Sequence, residues 1–402
     1  MVTYPKDWDE SKLLDHVSLV QGLTYTPENV KPTGTLVLRS SNIQNGRLWL
    51  EDNVYVNAHV PKEKMVEQGD ILVCVRNGSS ALIGKSCVLP ELKHTTFGAF
   101  MSVLRGDSTG YFAKLFESNI VQEQVRGRSN ATINQITKKD FQSIQVTVPK
   151  KPEQEEIART LSQFDTYIDD LAELIEKKKS IRDGALEDLI TKKTRLDGYA
   201  GDWTPVTFNQ VITPKARIGW QGLKKHEYLR SGYSYLIGGT DFSNGTVSLD
   251  NISYVTKERY DMDTNIQVSE NDVLVTKDGT IGKIAIVPEL NKPATLNSGV
   301  FVFRTNSRLV PAFLFRVLQS SVFREFIDTL SAGSTIKHLY QKDLKKFEFE
   351  IPVDTKEQEA ISAVLTAMDE EIRDLETERE KMIQIREGAM NDLLTGRVRL
   401  TK

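Results

Sequence analysis

Three groups of residues have types and spacings that chemistry could use. Gly78-Ser-Ser-Ala-Leu-Ile-Gly84-Lys85-Ser86 has the look of a loop that cradles phosphate. It carries five residues between its glycines rather than the four of a P-loop, and no parallel strand–helix–strand pattern surrounds it. A glycine-bearing hairpin between strands is the simpler reading. Asp70 with Glu91-x-Lys93 resembles the acidic pair and lysine of many nucleases, but in the related stretch Asp272, Glu289 and Lys292 the lysine falls three residues on. The five histidines, His16, His59, His94, His226 and His338, are scattered without metal-ligand spacing. These patterns exclude no single enzyme class alone; together they predict a chain without catalytic or metal-binding residues of its own.

The polar loops point to nucleic acid instead. Arginine and lysine suit guanine, asparagine and glutamine suit adenine, and serine or threonine hydroxyls and backbone N–H groups suit phosphates. Candidate contacts in the first half are Arg39, Ser41 and Asn42, then Arg76, Asn77, Ser79 and Ser80, then Arg128, Asn130, Thr132 and Asn134. Those in the second half are Lys215, Arg217, Lys224, Lys225 and Thr240, then Lys277, Asp278 and Thr280, then Ser334, Thr335, Lys337 and His338. Any one such loop is also compatible with a merely solvated surface. Their recurrence beside equivalent strands is what singles them out.

Short strands must position these loops. LVLRSSNI, GRLWL, DILVCV and IQVTVP show the alternation and β-branched content of strands. Asn45-Gly46 and Asn244-Gly245 suit type I′ hairpin turns, in which both central residues take positive φ. A short helix is expected near GYFAKLFESNIVQEQV, and another near PAFLFRVLQSSVFREFI. Two long amphipathic helices follow the β-rich stretches. In the first, Ile157, Phe164, Leu171, Lys178 and Ala185 recur every seven residues, with Leu161, Ile168, Ile175, Arg182 and Leu189 in the complementary positions. The second repeats this with Ile361, Met368, Leu375, Met382 and Ala389, and with Leu365, Ile372, Arg379, Arg386 and Leu393. Such heptads predict a coiled coil, each helix spanning about 50 Å. Pro152 suits a first helical turn, and Thr355-x-x-Gln358 fits a capping box. Gly184 and Gly388 sit mid-helix, which predicts a close approach of the two helix backbones there.

The whole chain is a tandem duplication. A constant offset of 204 residues pairs Glu153, Gln154, Ile157, Asp165, Arg182, Gly184, Ala185 and Leu196 with Glu357, Gln358, Ile361, Asp369, Arg386, Gly388, Ala389 and Leu400. Upstream the match continues with small shifts. Asp7-Trp8 answers Asp202-Trp203, Gly69-Asp70-Ile71-Leu72-Val73 answers Asn271-Asp272-Val273-Leu274-Val275, and Lys139-Asp140 answers Lys342-Asp343. The expected fold class is α+β, with mainly-β domains at residues 1–150 and 198–353 and helices at 151–197 and 354–402.

Composition agrees with a large folded chain. Of 402 residues 39% are hydrophobic and 27% charged, with a net charge of −3 and a pI near 6.1. A free-standing nonspecific DNA binder is usually basic, so DNA contact here should be local or shared with partners. Cys74 and Cys87 read as reduced thiols. The polar start MVTYPKDWDESKLL has no signal-peptide core, and no stretch approaches ~20 apolar residues, so a cytoplasmic location is expected.

The repeated helix motifs carry a family resemblance. A Glu-Gln-x-x-Ile opening and an Arg-x-Gly-Ala close followed by Asp-Leu run over Gln154, Ile157, Arg182, Gly184, Ala185, Asp188 and Leu189. They recur over Gln358, Ile361, Arg386, Gly388, Ala389, Asp392 and Leu393. With two alternating β-rich domains, this resembles the specificity subunit of type I restriction-modification systems. The opening proline departs from strict repetition, lying one residue before Glu153 but five before Glu357. The resemblance implies that each recognition domain reads one half of a split, asymmetric sequence in double-stranded DNA. It implies two helices packed as an antiparallel coiled coil, acting as the spacer between half-sites. It also implies two methyltransferase subunits, docked through residues such as Gln154, Arg182, Gly184, Gln358, Arg386 and Gly388, and motor-nuclease subunits where present. S-adenosylmethionine, ATP and magnesium would then belong to those partners and none to this chain. Two other readings stay open: a coiled-coil scaffold that binds no DNA, and a recognition subunit of another modification or defence system.

Overall fold

The computed structural model describes residues 4–128, 134–217, 222–331 and 338–400. They form a mixed α+β chain that divides into two units, residues 1–173 with 376–402 and residues 174–375. Two helices run through both, Lys151–Ile190 and Thr355–Leu394, each of 40 residues. That is about 60 Å of helix, longer than the heptads alone suggest.

In the first unit, strands Thr95–Phe97, Thr35–Leu38, Val54–Val56 and Val30–Lys31 form one sheet, and Ser18–Gln21, Met101–Arg105, Ile71–Cys74 and Ser86–Val88 another. Asp9–Lys12 pairs antiparallel with Gln145–Val148 at the foot of the central helix. The second unit repeats the plan. Ser253–Val255, Ser234–Ile237, Ala294–Leu296 and Gln267–Val268 form its smaller sheet, and Trp203–Thr207 pairs with Glu348–Pro352. The larger sheet has six strands because the hairpin Phe242–Ser243 and Thr246–Val247 joins it. Both hairpins turn as their Asn-Gly pairs require, with φ of 50° and 74° at Asn45-Gly46 and 49° and 75° at Asn244-Gly245.

Each expected short helix is a pair. Tyr111–Glu117 is followed by Asn119–Arg128, and Pro311–Gln319 by Ser321–Ser331. The break falls at buried Ser118 and Ser320, whose hydroxyls donate back to Leu115 O and Val317 O. These polar residues compete with the helical ladder and end it.

The cores show how helices and domains share residues. The first gathers Trp8, Tyr111, Phe116 and Phe141 with Ile157 and Leu161 of the central helix, and with Met390, Leu393 and Leu394 of the C-terminal helix. The second gathers Phe208, Phe303, Phe313 and Phe347 with Leu186, Leu189 and Ile190, and with Ile361 and Leu365. Each domain is therefore packed against the start of the helix that follows it and the end of the other one.

Three expectations about the helices are corrected. Among the described residues, no atom outside its own stretch of helix lies within 4 Å of where a Cβ would sit on Gly184 or Gly388, so neither glycine serves a close backbone approach; both are exposed. Thr355 is not the cap of its helix. Asp354 is, its carboxylate accepting from Lys356 N at 2.9 Å, while Gln358 turns its amide elsewhere. Gln154 and Gln358 are buried rather than presented to a partner. Gln154 donates to Pro149 O. Gln358 donates to Arg308 O and Pro352 O and accepts from Val310 N. Both lock the last strand of a domain to the helix that follows.

The arginines of the helix motif are also engaged within their units. Arg386 binds Asp165 and Glu117; burial opposes its charge, but the two carboxylates outweigh that and leave its pKa raised. Arg182 lies 3.4 Å from Asp369, and Arg316 shares that carboxylate. They tie helix to helix and helix to domain, which makes them poor candidates for an open docking surface. No helix is long and apolar enough to cross a membrane among the described residues.

Candidate nucleic-acid interface

Both units build the same cluster of loops at the ends of equivalent strands. In the first, Val75 N donates to Phe100 O, Ile136 N to Val75 O, and Gly98 N to Leu38 O. In the second, Lys277 N donates to Gly299 O, Leu339 N to Lys277 O, and Asn297 N to Ile237 O. The turn after one strand, the loop after the next and a returning segment are thus held together twice by matching main-chain bonds. Arg76 and Gln135 form an isolated antiparallel bridge, and Asp278 and His338 form its counterpart.

Side chains complete the first cluster. Asn77 donates to Ser40 Oγ at 3.1 Å and accepts from Ser79 N at 3.0 Å. Asn134 donates to Gly78 O at 2.9 Å. The Arg76 guanidinium lies 5.2 Å from the centre of the Phe100 ring, and that ring is 56% exposed. Arg76, Ser79 and Ser80 are exposed beside it. Arg39 is half-buried and pairs with Asp52 at 2.8 Å, and Ser41 lies on the same turn. In the second cluster His338 Nδ1 bonds Asp278, and its ring lies 4.5 Å from that of exposed Tyr340. Lys277 stands over Phe301. Thr240 and Thr280 are exposed at the adjoining turns.

Some candidates do not reach this surface. Asn42 is fully buried. Its side chain accepts from Arg39 N and donates to Trp49 O, both at 2.9 Å, so it holds the turn. Asp241 does the same work in the second unit by accepting from Gly238 N. Arg217 is also buried, with Nε donating to Leu296 O at 3.0 Å, and its desolvation lowers its pKa. Arg128 is spent on Ser143 and Gln124 O. Lys215 lies in a strand opposite Val302, and Lys224 and Lys225 lie on a separate turn that Glu227 holds by accepting from Lys224 N. Asn130, Thr132, Ser334, Thr335 and Lys337 lie outside the described residues. The sequence reading missed Phe100, Gln135 and Tyr340. Phe100 and Tyr340 signalled themselves only as aromatics in polar loops.

The phosphate-loop and nuclease patterns serve the fold. Strands Ile71–Cys74 and Ser86–Val88 pair antiparallel, so the glycine-rich stretch between them is a hairpin connection. Asp70 is buried and takes two bonds from Arg105. Among the described residues no cluster of three or more His, Cys, Asp or Glu could hold a metal ion.

Comparison with known proteins places this architecture. Residues 5–181 and 202–384 each match the family described as the type I restriction modification DNA specificity domain. The chain is 26% identical to the type I restriction enzyme MjaVIII specificity subunit of Methanocaldococcus jannaschii, over 84% of this chain and 81% of that one. It is 24% identical to the putative MjaX specificity subunit of the same organism, over 98% and 95%. Among solved structures, the S subunit of a type I restriction-modification system from M. genitalium superimposes with a TM-score of 0.59 at 17% identity, over 96% of both chains. A chain from a type I complex solved to describe assembly and conformational transition gives 0.59 at 14% identity, over 98% and 100%. The two structures share the fold, and the family match covers both halves of the duplication. The chain belongs to the type I restriction-modification DNA specificity family.

Proposed function

We propose that this protein reads a bipartite, asymmetric site in double-stranded DNA, one half through each recognition domain, for partner subunits that do the chemistry. The observation that carries this reading is the loop cluster built twice on matching main-chain bonds but decorated with different side chains. A shared scaffold with divergent side chains is what reading two different half-sites requires. The partners are two methyltransferase subunits, which methylate adenine N6 with S-adenosylmethionine, and motor-nuclease subunits that use ATP and magnesium. The net charge of −3 suits a chain that grips DNA only within such an assembly.

In the same reading the two long helices pair antiparallel as a coiled coil and set the gap between half-sites. The order of contacts within each unit supports this. In the first unit Glu153 meets Arg399 and Asp165 meets Arg386. In the second Lys178 meets Glu371 and Arg195 meets Glu357. Partner numbers fall as residue numbers rise. The test is to replace residues 1–150 with the matching domain of a homologue, assemble the complex with its methyltransferase, and map methylated adenines. One half of the motif changes and the other stays; a change in both halves, or a continuous motif in the parent, overturns the reading.

A further inference from the structure

The duplication offers an internal comparison between positions that hold the fold and positions free to differ. Arg105 donates to the carbonyls of Glu63 and Met65. Its counterpart Arg304 donates to those of Asn265 and Gln267, at the corresponding places. The framework is thus retained in side-chain detail. The bridged pair in each loop cluster is not. Arg76 opposite Gln135 in one unit becomes Asp278 opposite His338 in the other. A cation and an amide are replaced by a carboxylate and an imidazole on one backbone scaffold.

That scaffold aims the pair outward. Residues opposite each other on an antiparallel bridge put their side chains on one face, and the next residue along each strand faces the other way. Val75 and Ile136, next to Arg76 and Gln135, are buried, as is Leu339, next to His338 in the second unit. Arg76 and Asp278 are exposed, with Gln135 and His338 half-buried beside them. Aromatic rings brace both pairs: Phe100 lies against Arg76, and Tyr340 against His338. Bracing restricts long or rotatable side chains before anything binds, which is what discrimination between bases demands.

We propose that these two bridged pairs set base identity at corresponding positions of the two half-sites. Arg76 presents a fork of donors that matches the O6 and N7 acceptors of guanine, and Gln135 matches the N6 and N7 edge of an adjoining adenine. Asp278 accepts, so it takes an exocyclic amino group, cytosine N4 or adenine N6, while its bond to His338 leaves the imidazole Nε2 for the neighbouring base or phosphate. The assignment rests on the bipartite reading proposed above and names the residues that carry it.

The test uses the assembled methyltransferase complex and maps every methylated adenine in genomic DNA. Arg76→Ala relaxes one guanine position in the first half-site, with discrimination falling roughly tenfold or more, and leaves the second half-site unchanged. Asp278→Asn does the reverse, relaxing one position in the second half-site alone. Arg76→Lys keeps the charge and a guanine donor but loses the planar fork, so it relaxes the same position less than Arg76→Ala does and controls for folding. Complex formation by size-exclusion chromatography and the melting temperature establish that each variant is intact. If the parent gives a bipartite motif and intact Arg76→Ala and Asp278→Asn leave it unaltered at every position, this assignment is overturned while the bipartite reading stands. If the parent gives no bipartite motif, that broader reading fails first.

Discussion

At the scale of single residues, arginines pair with buried carboxylates at the start of each long helix. Arg195 donates to both oxygens of Glu357, which is 1% exposed, and Trp203 Nε1 donates to the same carboxylate. Arg399 repeats this with Glu153 and adds Asp7. Removing one partner strands a charge in a low-dielectric site. Arg195 is itself partly solvated, so Arg195→Ala should cost about 2–3 kcal/mol, read as a lower midpoint in a denaturant titration. Asp7 gives a pH signature. The Arg399 guanidinium holds its carboxyl below the ordinary value of 3.8. A carboxylate depressed on folding adds stability above its unfolded pKa and loses it as pH falls through the folded one. The gap in melting temperature between the parent and Asp7→Asn should therefore be full at neutral pH and narrow below pH 3.8; a gap that is constant with pH would contradict the ion pair. Asn42 shows why single residues were hard to judge from sequence. A polar residue in Arg39-Ser-Ser-Asn looks the same whether it faces solvent or, as here, caps a buried turn; the parallel Gly238-Gly-Thr-Asp was the available hint.

At the scale of elements, periodicity carried more information. Heptads located both long helices, and the Asn-Gly pairs located both hairpins, because these patterns depend on local geometry alone. What they missed depends on neighbours. Asp354 rather than Thr355 caps the C-terminal helix because Gln358 is drawn to Pro352, Arg308 and Val310. The mid-helix glycines were read as contact points, yet their surroundings are open. That makes a prediction with a definite sign. A glycine in an exposed helix interior costs about 1 kcal/mol relative to alanine, and a Cβ there meets nothing, so Gly184→Ala and Gly388→Ala should each stabilise the isolated chain by up to about that amount. Thermal unfolding of the two variants checks it, and a fall in stability would show that the helix ladder depends on the glycine.

At the scale of the whole molecule, the duplication was legible because an offset of 204 residues persists without a gap through the helix region. The sharing of helices between units was not, because no local pattern tells a helix which domain will cover its far end. That sharing alters what a truncation does. Residues 376–402 supply Met390, Leu393 and Leu394 to the core of the first unit. Deleting them should unfold the first recognition domain rather than the second. Hydrogen exchange would register lost protection around Tyr111 and Phe116, with protection kept around Phe303 and Phe313.

The Arg399 clamp carries this into biosynthesis. Asp7 and Trp8 are made before the second recognition domain, yet their partners Arg399 and Gly396 are made after it. The core of the first recognition domain can therefore close only after the residues of the second have been synthesised. Of the two domains, the one encoded first is completed last, and a nonsense codon just past residue 375 would leave the core of the domain at the other end of the chain unfinished.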